Sequence, residues 1–381
     1  MVSEKNIKDK PLKIEDRRFS NFVVKTDDRS YWDEWNFYRH IDITVDTAKE
    51  IAKKIETGHS TEPYVLCALS KSGLPLGTLL SLLLNKPLYF FALGEFFTDQ
   101  GIPIVDIISD SDCWSYNWYL VDSHIHTGQT ALLAASAIEA QFSSKVHTCY
   151  VIANCLTEKY KSSCTFKIVS LYNSAESFEF LKRLVDHPEI LNDPKFWTYH
   201  EKSWLTTLSN DISNPNKNFI TVNPIEVNTG INDLILKDDK LYPGKLLLHP
   251  EQLSEYASTI SKKLKDKDID AIIAATVGGI PLAIALCYFI MQMQEKIVSF
   301  IFLGNNSVEY YRNLVCKSPN VVVVDDVISA GSIVAVINET ILKPNKINLL
   351  GIVSLAISSF PEKGCYIRID DKGVPLYTAV K

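Results

Sequence analysis

Two adjacent aspartates and a run of small residues stand side by side in the second half of the chain. Asp325 and Asp326 follow four valines, and a Ser-Ala-Gly-Ser run at 329–332 opens a predicted helix at about 332–343. Neighbouring carboxylates can accept hydrogen bonds from a vicinal diol or hold Mg²⁺. Small residues at a helix N-terminus offer free backbone N–H groups to a phosphate. The pattern predicts a ribose 5-phosphate site, and a turn whose acids merely cap the helix is the alternative.

The first half carries a divergent version of this pattern. Asp122 is the first acid, and Ser123 takes the place of the second. His126 precedes the predicted phosphate-binding residues, which are Thr127, Gly128, Gln129 and Thr130. Lys71 is the candidate cation for an anionic ligand in this half. Three interpretations stay open: a pseudo-site that stabilises the second half, a site for a nucleoside monophosphate or another sugar phosphate, and a transition-metal site of Asp122, His124 and His126.

The two motifs occupy corresponding places in two halves of similar order. Each half runs through an amphipathic helix, an apolar strand, a second helix and an apolar strand that ends in acid. Pro75 and Pro281 are separated by nearly the same number of positions as Asp122 and Asp325. Continuous apolar strands that alternate with helices are typical of a parallel sheet buried on both faces. The order therefore predicts a duplicated α/β fold.

Local patterns place several element boundaries. Thr47 and Glu50 have capping-box spacing, which predicts a helix start at 47. Pro250 suits the first turn of a helix. The sequence around Asp371–Gly373 predicts a terminal hairpin. An aromatic set before and within the acidic strand of the first half either stacks on a base or belongs to the core; it comprises Trp114, Tyr116, Trp118 and Tyr119.

Composition and length narrow the class of protein. The chain has 381 residues, 46% of them hydrophobic, which is enough for two domains with their own cores. We expect domains at 1–215 and 216–381, with a cap and linker at 157–215. The net charge of −6 and the lack of a basic tract argue against nucleic acid as a partner. The apolar runs are too short for a membrane span, and the cysteine spacing favours a reducing, cytoplasmic location.

The motif at 321–333 resembles the phosphoribosyl-diphosphate (PRPP) motif of type I phosphoribosyltransferases, and it is most similar to the orotate version. The segment ATVGGIPLA at 275–283 resembles the pyrophosphate loop of that family. The segment LKDDKLYP at 236–243 resembles its N-terminal lysine segment, with Lys237 at the matching position. The resemblance implies two tandem type I phosphoribosyltransferase-like domains, each a mostly parallel sheet flanked by helices with a small hood.

The resemblance also implies a reaction: transfer of a phosphoribosyl group from PRPP to a nitrogenous base, with Mg²⁺ and with release of pyrophosphate. Asp325 and Asp326 are the implied catalytic and Mg²⁺-binding acids. Arg312, in the loop before them, either assists pyrophosphate or is an ordinary surface cation. Gly278 and Gly279 would let the backbone approach pyrophosphate closely. The implied 5-phosphate cradle comprises Ser329, Ala330, Gly331, Ser332 and Ile333.

Two functions other than phosphoribosyl transfer remain open. One is a catalytically reduced module that binds PRPP or a nucleotide as a sensor or effector, for example in a bacterial retron-type antiphage defence system. The other is that of PRPP synthase, an enzyme that also pairs two such folds. The two halves could form a pseudo-dimer within one chain, and a homo-oligomer or a larger complex is a further expectation.

Overall fold

The computed structural model places two parallel sheets, each flanked by helices, in the two halves of the chain. This confirms the predicted α/β fold class. The residues that the structure describes are 19, 22–25, 30–32, 34–58, 62–91, 116–156, 164–173, 220–227, 229–237, 240–241, 243–303, 320–328, 333–357 and 367–380. No helix within these ranges is long and apolar enough to cross a membrane.

The first sheet has five parallel strands in the order β4-β3-β5-β6-β7. A short antiparallel pair, β1 and β2, precedes it. The last strand, β7, falls within the segment predicted as cap and linker, so that part of 157–215 belongs to the sheet. The strands are β1 (Val23–Lys25), β2 (Ser30–Trp32), β3 (Tyr64–Leu69), β4 (Leu88–Phe91), β5 (Asn117–Ile125), β6 (Val146–Asn154) and β7 (Lys167–Asn173).

In the described part of this half, the helices are α1 (Glu34–Arg39), α2 (Ile41–Gly58), α3 (Ser70–Leu84) and α4 (Gln129–Phe142). The predicted helix start at Thr47 is wrong, because α2 begins six residues earlier, at Ile41. The Thr47 hydroxyl lies inside the helix and donates to the carbonyl oxygen of Ile43 at 2.7 Å, instead of capping a terminus. The inward stripe of Ala48, Ile51, Ala52 and Ile55 is buried, as the periodicity predicts.

The second sheet is larger and also parallel, in the order β12-β11-β13-β15-β17-β8-β16, with β14 beside β15. Its first four strands repeat the order of β4-β3-β5-β6 in the first sheet. The antiparallel pair β9–β10 lies outside it. The strands are β8 (Ile220–Glu226), β9 (Leu236–Lys237), β10 (Lys240–Leu241), β11 (Ala271–Ala274), β12 (Ser299–Phe302), β13 (Asn320–Val324), β14 (Val327–Ile328), β15 (Asn348–Ile357), β16 (Ile367–Ile369) and β17 (Val374–Val380).

The helices of the second half include two short ones and two long ones. Pro250 stands in the first turn of its helix, as predicted, where its missing N–H is not needed. The helix after β14 changes to a π-helical turn at Asn338–Leu342 and a 3₁₀ turn at Lys343–Asn345. The helices are α5 (Asn232–Ile235), a 3₁₀ helix (Pro243–Leu248), α6 (Pro250–Lys263), α7 (Gly279–Gln294) and α8 (Ile333–Ile337).

The predicted terminal hairpin is wrong. Strands β16 and β17 both pair in parallel with β8, one on each side, and not with each other. The turn does exist, since the Gly373 N–H donates to the Asp370 carbonyl at 2.9 Å. A Cβ at Gly373 would lie 2.6 Å from backbone atoms of Val222, so the turn crosses directly over β8. The close crossing carries the chain to the other side of that strand.

The two halves pack against each other through one apolar cluster that includes residues of α2, α3, α6 and α7. The rings of Trp35 and Phe302, one from each half, have centroids 4.8 Å apart. At the periphery, Asn85 Nδ2 donates to Glu251 Oε1 at 2.8 Å. The two halves therefore share one continuous apolar core.

Candidate functional site

The loops that follow β11 and β13 meet at one edge of the second sheet. These strands are parallel neighbours, with Ala274 opposite Val324. Their carboxyl ends therefore lie together, which is where open α/β sheets bind ligands. The Ala275 N–H extends the ladder by donating to the Val324 carbonyl at 2.8 Å. The Thr276 hydroxyl then donates to Asp325 Oδ1 at 2.5 Å, which ties one loop to the other.

The two adjacent acids have different surroundings. Asp325 is only 4% exposed, and its Oδ1 also accepts the Asp326 N–H at 3.0 Å. Asp326 is half-buried, and its Oδ1 accepts the Val327 N–H at 2.9 Å. Its side chain also lines a cavity beside α7. Of the pair, Asp326 is therefore placed to meet a ligand, and Asp325 is placed to hold the loop.

Gly278 and Gly279 lie directly against the acids. A Cβ at Gly278 would lie 2.2 Å from Oδ2 of Asp326. A Cβ at Gly279 would lie 2.8 Å from the Val324 carbonyl oxygen and 3.1 Å from Cα of Asp325. The glycines thus allow the close approach of two motifs that are far apart in the sequence. The group that approaches Gly278 in the structure is the Asp326 carboxylate.

Electrostatics disfavour two free charges at this edge. Burial, and then the neighbouring charge of Asp326, raises the pKa of Asp325, while the hydrogen bond from Thr276 lowers it. Burial also raises the pKa of Asp326. A divalent cation at the pair would favour the doubly ionised form.

The donors at this edge fit Mg²⁺ better than a metal that needs a full protein cage. Within the described ranges, no group of three or more His, Cys, Asp and Glu side chains could hold a metal ion. Mg²⁺ commonly binds through one or two carboxylates, with substrate phosphates and water completing its shell. Asp325 and Asp326 supply such a pair of carboxylates.

Several predicted site residues lie outside the described part of the chain, so their placement stays a prediction. They are Arg312, Ser329, Ala330, Gly331 and Ser332. Ile333 begins α8 and packs partly buried against the core. Lys237 ends β9, where it pairs with Lys240 of β10.

In the first half, the predicted residues line one pocket of about 220 Å³. Asp122, His126 and the whole 127–130 loop contribute to its wall. Gly128 has a φ of 73° and caps α4, so the loop ends in a left-handed turn that favours glycine. The pocket therefore combines an acid, several hydroxyl groups and the N-terminus of a 14-residue helix. Lys71 is not among the lining residues, although Ser70 and Ser72 on either side of it are.

Asp122 is held by the same two kinds of hydrogen bond as Asp325. The Ser72 hydroxyl donates to Asp122 Oδ1 at 2.8 Å, and the Ser123 N–H donates to the same oxygen at 2.7 Å. Burial raises the pKa of Asp122 to about 7, against the lowering effect of both bonds. Sequence reasoning missed Ser72 and Thr276, and the signal available was a hydroxyl residue two or three positions after each preceding strand.

Burial disfavours the charged form of the two histidines of the first pocket. His124 Nδ1 lies 2.7 Å from the Ser123 hydroxyl and 3.6 Å from Glu34 Oε2. The rings of His124 and His126 have centroids 4.5 Å apart. Burial lowers the pKa of both, that of His126 to about 4. The transition-metal interpretation is not supported, because Asp122, His124 and His126 form no metal-binding group among the described residues.

The aromatic residues of β5 belong to the core, as one interpretation predicted. Trp118 is fully buried, and its ring centroid lies 4.7 Å from that of Tyr89. Tyr119 is 6% exposed and contacts Tyr64 and Tyr150 by its ring. Neither lines the first pocket.

No protein-family model matches the chain. Over 107 residues it is 35% identical to a hypoxanthine/guanine phosphoribosyltransferase of Methanococcus maripaludis, a match that covers 25% of this chain and 57% of that protein. A hypoxanthine/guanine phosphoribosyltransferase of Methanocaldococcus sp. is also 35% identical over 107 residues, covering 25% and 55%. The chain thus spans little more than half of the length of these curated relatives. Part of the chain is thus similar in sequence to phosphoribosyltransferases.

Solved structures show weaker similarity. Adenine phosphoribosyltransferase of Thermoanaerobacter pseudethanolicus has a TM-score of 0.34 and 17% identity, over 41% of this chain and 98% of that one. The enzyme of Trypanosoma brucei, in complex with AMP, pyrophosphate and ribose-5-phosphate, has a TM-score of 0.33 and 13% identity, over 41% and 78%. UMP synthase of Leishmania donovani has a TM-score of 0.23 and 14% identity, over 85% and 73%.

Proposed function

We propose that the second half binds PRPP and transfers its phosphoribosyl group to a nitrogenous base, with release of pyrophosphate. The observation that carries the proposal is the contact between Gly278 and Asp326. It brings the pyrophosphate-loop motif and the acidic motif together at the carboxyl edge of a parallel sheet, where a sugar diphosphate would reach both. The similarity to hypoxanthine/guanine phosphoribosyltransferases supports the same function.

The residues would divide the work as follows. Asp326 would contact the ribose hydroxyls and Mg²⁺, while Asp325 would position it through the bond to its backbone N–H. Gly278 and Gly279 would admit the pyrophosphate to the backbone. The predicted cradle at 329–332 would take the 5-phosphate, and Arg312 is the predicted cation for the leaving group. Lys237 stands at the position of the lysine in the family's N-terminal segment.

In the transfer, the base nitrogen would form a bond to C1 of the ribose as the bond from C1 to the pyrophosphate oxygen breaks. The proton of the nitrogen passes to solvent water, and the electron pair of the broken bond leaves with pyrophosphate. Positive charge develops on the sugar, and the carboxylate of Asp326 would stabilise it. Bound Mg²⁺ would neutralise charge on the departing pyrophosphate.

The test is release of pyrophosphate from PRPP and Mg²⁺ in the presence of a panel of bases. We expect turnover in the wild-type chain and a loss of at least about 100-fold in Asp326→Asn and Asp325→Asn. Asp371→Asn, at an exposed turn, is the matched control and should leave the rate unchanged. If PRPP raises the melting temperature but no base supports turnover, the transferase proposal fails and a binding module remains.

We further propose that the first pocket binds a phosphate monoester, such as ribose 5-phosphate or a nucleoside monophosphate. Its hydroxyl-rich wall and the N-terminus of α4 support this. Gln129→Glu replaces the side-chain amide by a carboxylate of nearly the same shape at the start of α4. A negative charge there is compatible with folding, but it repels an anionic ligand. Gln141→Glu, exposed near the other end of α4, is the control. Only the first variant should weaken ribose 5-phosphate binding, measured by calorimetry, and equal binding by both would contradict the proposal.

A further inference from the structure

The two acids at the carboxyl edge of the second sheet are held by the backbone of a neighbouring strand, β15. The Asp325 N–H donates to the Val353 carbonyl at 3.0 Å. The Asp326 carbonyl accepts the N–H groups of Leu355 and Ala356, at 2.9 and 3.3 Å. The backbone of both acids is therefore fixed by one short segment of β15, and a movement of that segment would move both carboxylates.

Ser354, in the middle of this segment, faces away from the acids. Successive residues of a strand in a parallel sheet present their backbone groups alternately to the two neighbouring strands. Since Val353 and Leu355 face β13, the Ser354 carbonyl faces β17, on which Ser354 is paired with Thr378. Ser354 is fully buried, so its carbonyl oxygen needs a donor from the protein.

A tyrosine of α6 supplies a donor to this carbonyl. Tyr256 is fully buried, and its hydroxyl donates to the Ser354 carbonyl oxygen. Burial raises the pKa of this hydroxyl, and a hydrogen bond from the backbone of Ala379, on β17, lowers it. The register of β13 and β14 on β15 places Asp325 opposite Ser354. The hydroxyl therefore contacts backbone groups of both β15 and β17 at the level of the acids.

We infer that Tyr256 is a positioning residue for the acid pair, because its hydroxyl fixes the segment of β15 that holds Asp325 and Asp326. Tyr256 does not line the cavity beside Asp326, so it acts through the backbone and not by contact with a ligand there. The inference rests on the proposed function, in which Asp326 contacts the ribose and Mg²⁺. Loss of the hydroxyl should lower kcat more than it raises the KM for PRPP, because the charge that Asp326 stabilises develops only in the transition state.

The test compares Tyr256→Phe with Tyr38→Phe in the full chain. Tyr38 is an equally buried tyrosine of the first half, and its hydroxyl donates to the Ser72 carbonyl oxygen at 2.6 Å. Both variants keep the ring and lose one buried hydrogen bond, so both should melt at a lower temperature than the wild type. Only Tyr256→Phe should lower kcat for pyrophosphate release, by at least about tenfold, with the KM for PRPP changed by less than about threefold.

Hydrogen exchange, followed by NMR, tests the segment without any substrate. The amides of Leu355 and Asp325 should exchange at least about tenfold faster in Tyr256→Phe, relative to the amide of Ile272 on β11, and Tyr38→Phe should show no such selective change. The wild type provides a second measurement, which serves if Tyr256→Phe does not fold. In the wild type, these two amides should exchange only through global unfolding.

The outcomes separate this inference from the transferase proposal. An equal kcat in the wild type and Tyr256→Phe overturns the inference, and so does a loss of kcat that Tyr38→Phe shares. Unselective exchange in Tyr256→Phe, or exchange of the Leu355 amide by local opening in the wild type, overturns it as well. If the exchange follows the expected pattern but the wild type releases no pyrophosphate with any base, the transferase proposal fails, while Tyr256 still positions the acids.

Discussion

Replacing Gly278 by alanine separates ligand binding from folding. The new Cβ would lie 2.2 Å from Oδ2 and 2.5 Å from Cγ of Asp326, whereas real Cβ contacts are essentially never under 3.0 Å. The obstacle is the end of a side chain, so the carboxylate can rotate away by nearly an ångström. The backbone itself accepts alanine, because Gly278 has helical angles, φ −62° and ψ −29°, at an exposed position.

The two consequences have opposite signs. Alanine in place of glycine at a compatible position stabilises a fold by about 0.4–1 kcal/mol, through the unfolded chain. A displacement of about 1 Å in a group that positions a substrate can cost about 100-fold in rate. We therefore expect Gly278→Ala to melt no lower than the wild type and to lose about 100-fold in PRPP-dependent pyrophosphate release. General damage to the fold would lower both quantities together.

The assays are a thermal melt and a coupled pyrophosphate assay at saturating Mg²⁺. Gly58→Ala is the matched control, because a Cβ there meets nothing within 4 Å. It should leave the rate unaltered. If Gly278→Ala keeps its rate within about threefold, the contact with Asp326 does not matter for binding, and the reasoning that joins the two motifs into one site is refuted.

Three further changes test the buried acids. Burial raises the pKa of Asp122 to about 7, so below that pH the folded state holds a proton on this carboxyl group. The free energy of unfolding of the wild type should therefore fall, relative to that of Asp122→Asn, by up to about 1.4 kcal/mol per pH unit as pH rises from about 4 to about 7. A difference between the two proteins that stays constant over this pH range would contradict this. Ser72→Ala should move the Asp122 pKa, read by NMR titration, above about 7, because a hydrogen bond that lowers it is lost. Thr276→Val should lower the free energy of unfolding, measured in urea, by about 1–3 kcal/mol. If it lowers this free energy no more than Thr57→Val does at an exposed position, the hydrogen bond from Thr276 to Asp325 is contradicted.

The architecture follows from the sequence because parallel strands buried on both faces leave a plain signal. Runs such as the four valines at 321–324 have no polar face, and helices must cover them on both sides. The ends of helices and the pairing of strands are harder to predict from the sequence. The helix start at Thr47 was mispredicted because the earlier turns of α2, from Ile41, carry their apolar residues without a capping signal. The false hairpin at Asp371–Gly373 had a genuine turn, but strand pairing is decided by β8, which is far away in the sequence.

The candidate site could be predicted as a set of motifs but not as an arrangement. The sequence indicates that Asp325 and Asp326 end a strand, yet it treats them as equivalent. Only the packing distinguishes them, since Thr276, from the neighbouring loop, binds the first acid and leaves the second beside Gly278. The cavity that Asp326 lines was missed for a similar reason. Leu74 and Phe90 look like ordinary core residues, and only the contact between halves brings them to Asp326.

Two contacts at the carboxyl edge of the sheet recur in both halves. In both, a hydroxyl two or three residues after the preceding strand and the backbone N–H of the next residue donate to the first acid. Gly73 and Gly279 likewise both press against the carbonyl of the residue before that acid, since a Cβ added at either glycine would lie 2.6 or 2.8 Å, respectively, from the carbonyl oxygen. The halves differ at the next position.

Ser123 is fully buried, and its hydroxyl oxygen lies 2.7 Å from Nδ1 of His124. Asp326, which follows the first acid of the second half, instead lines a cavity. A second carboxylate at 123 would be buried beside the Asp122 carboxylate, at a cost of several kcal/mol. A single acid with raised pKa and two neutral imidazoles leave the first pocket with little charge of its own. Such a pocket is suited to hold an anion through hydroxyl and backbone groups, whereas the end of β13 in the second half carries the paired carboxylates that suit Mg²⁺.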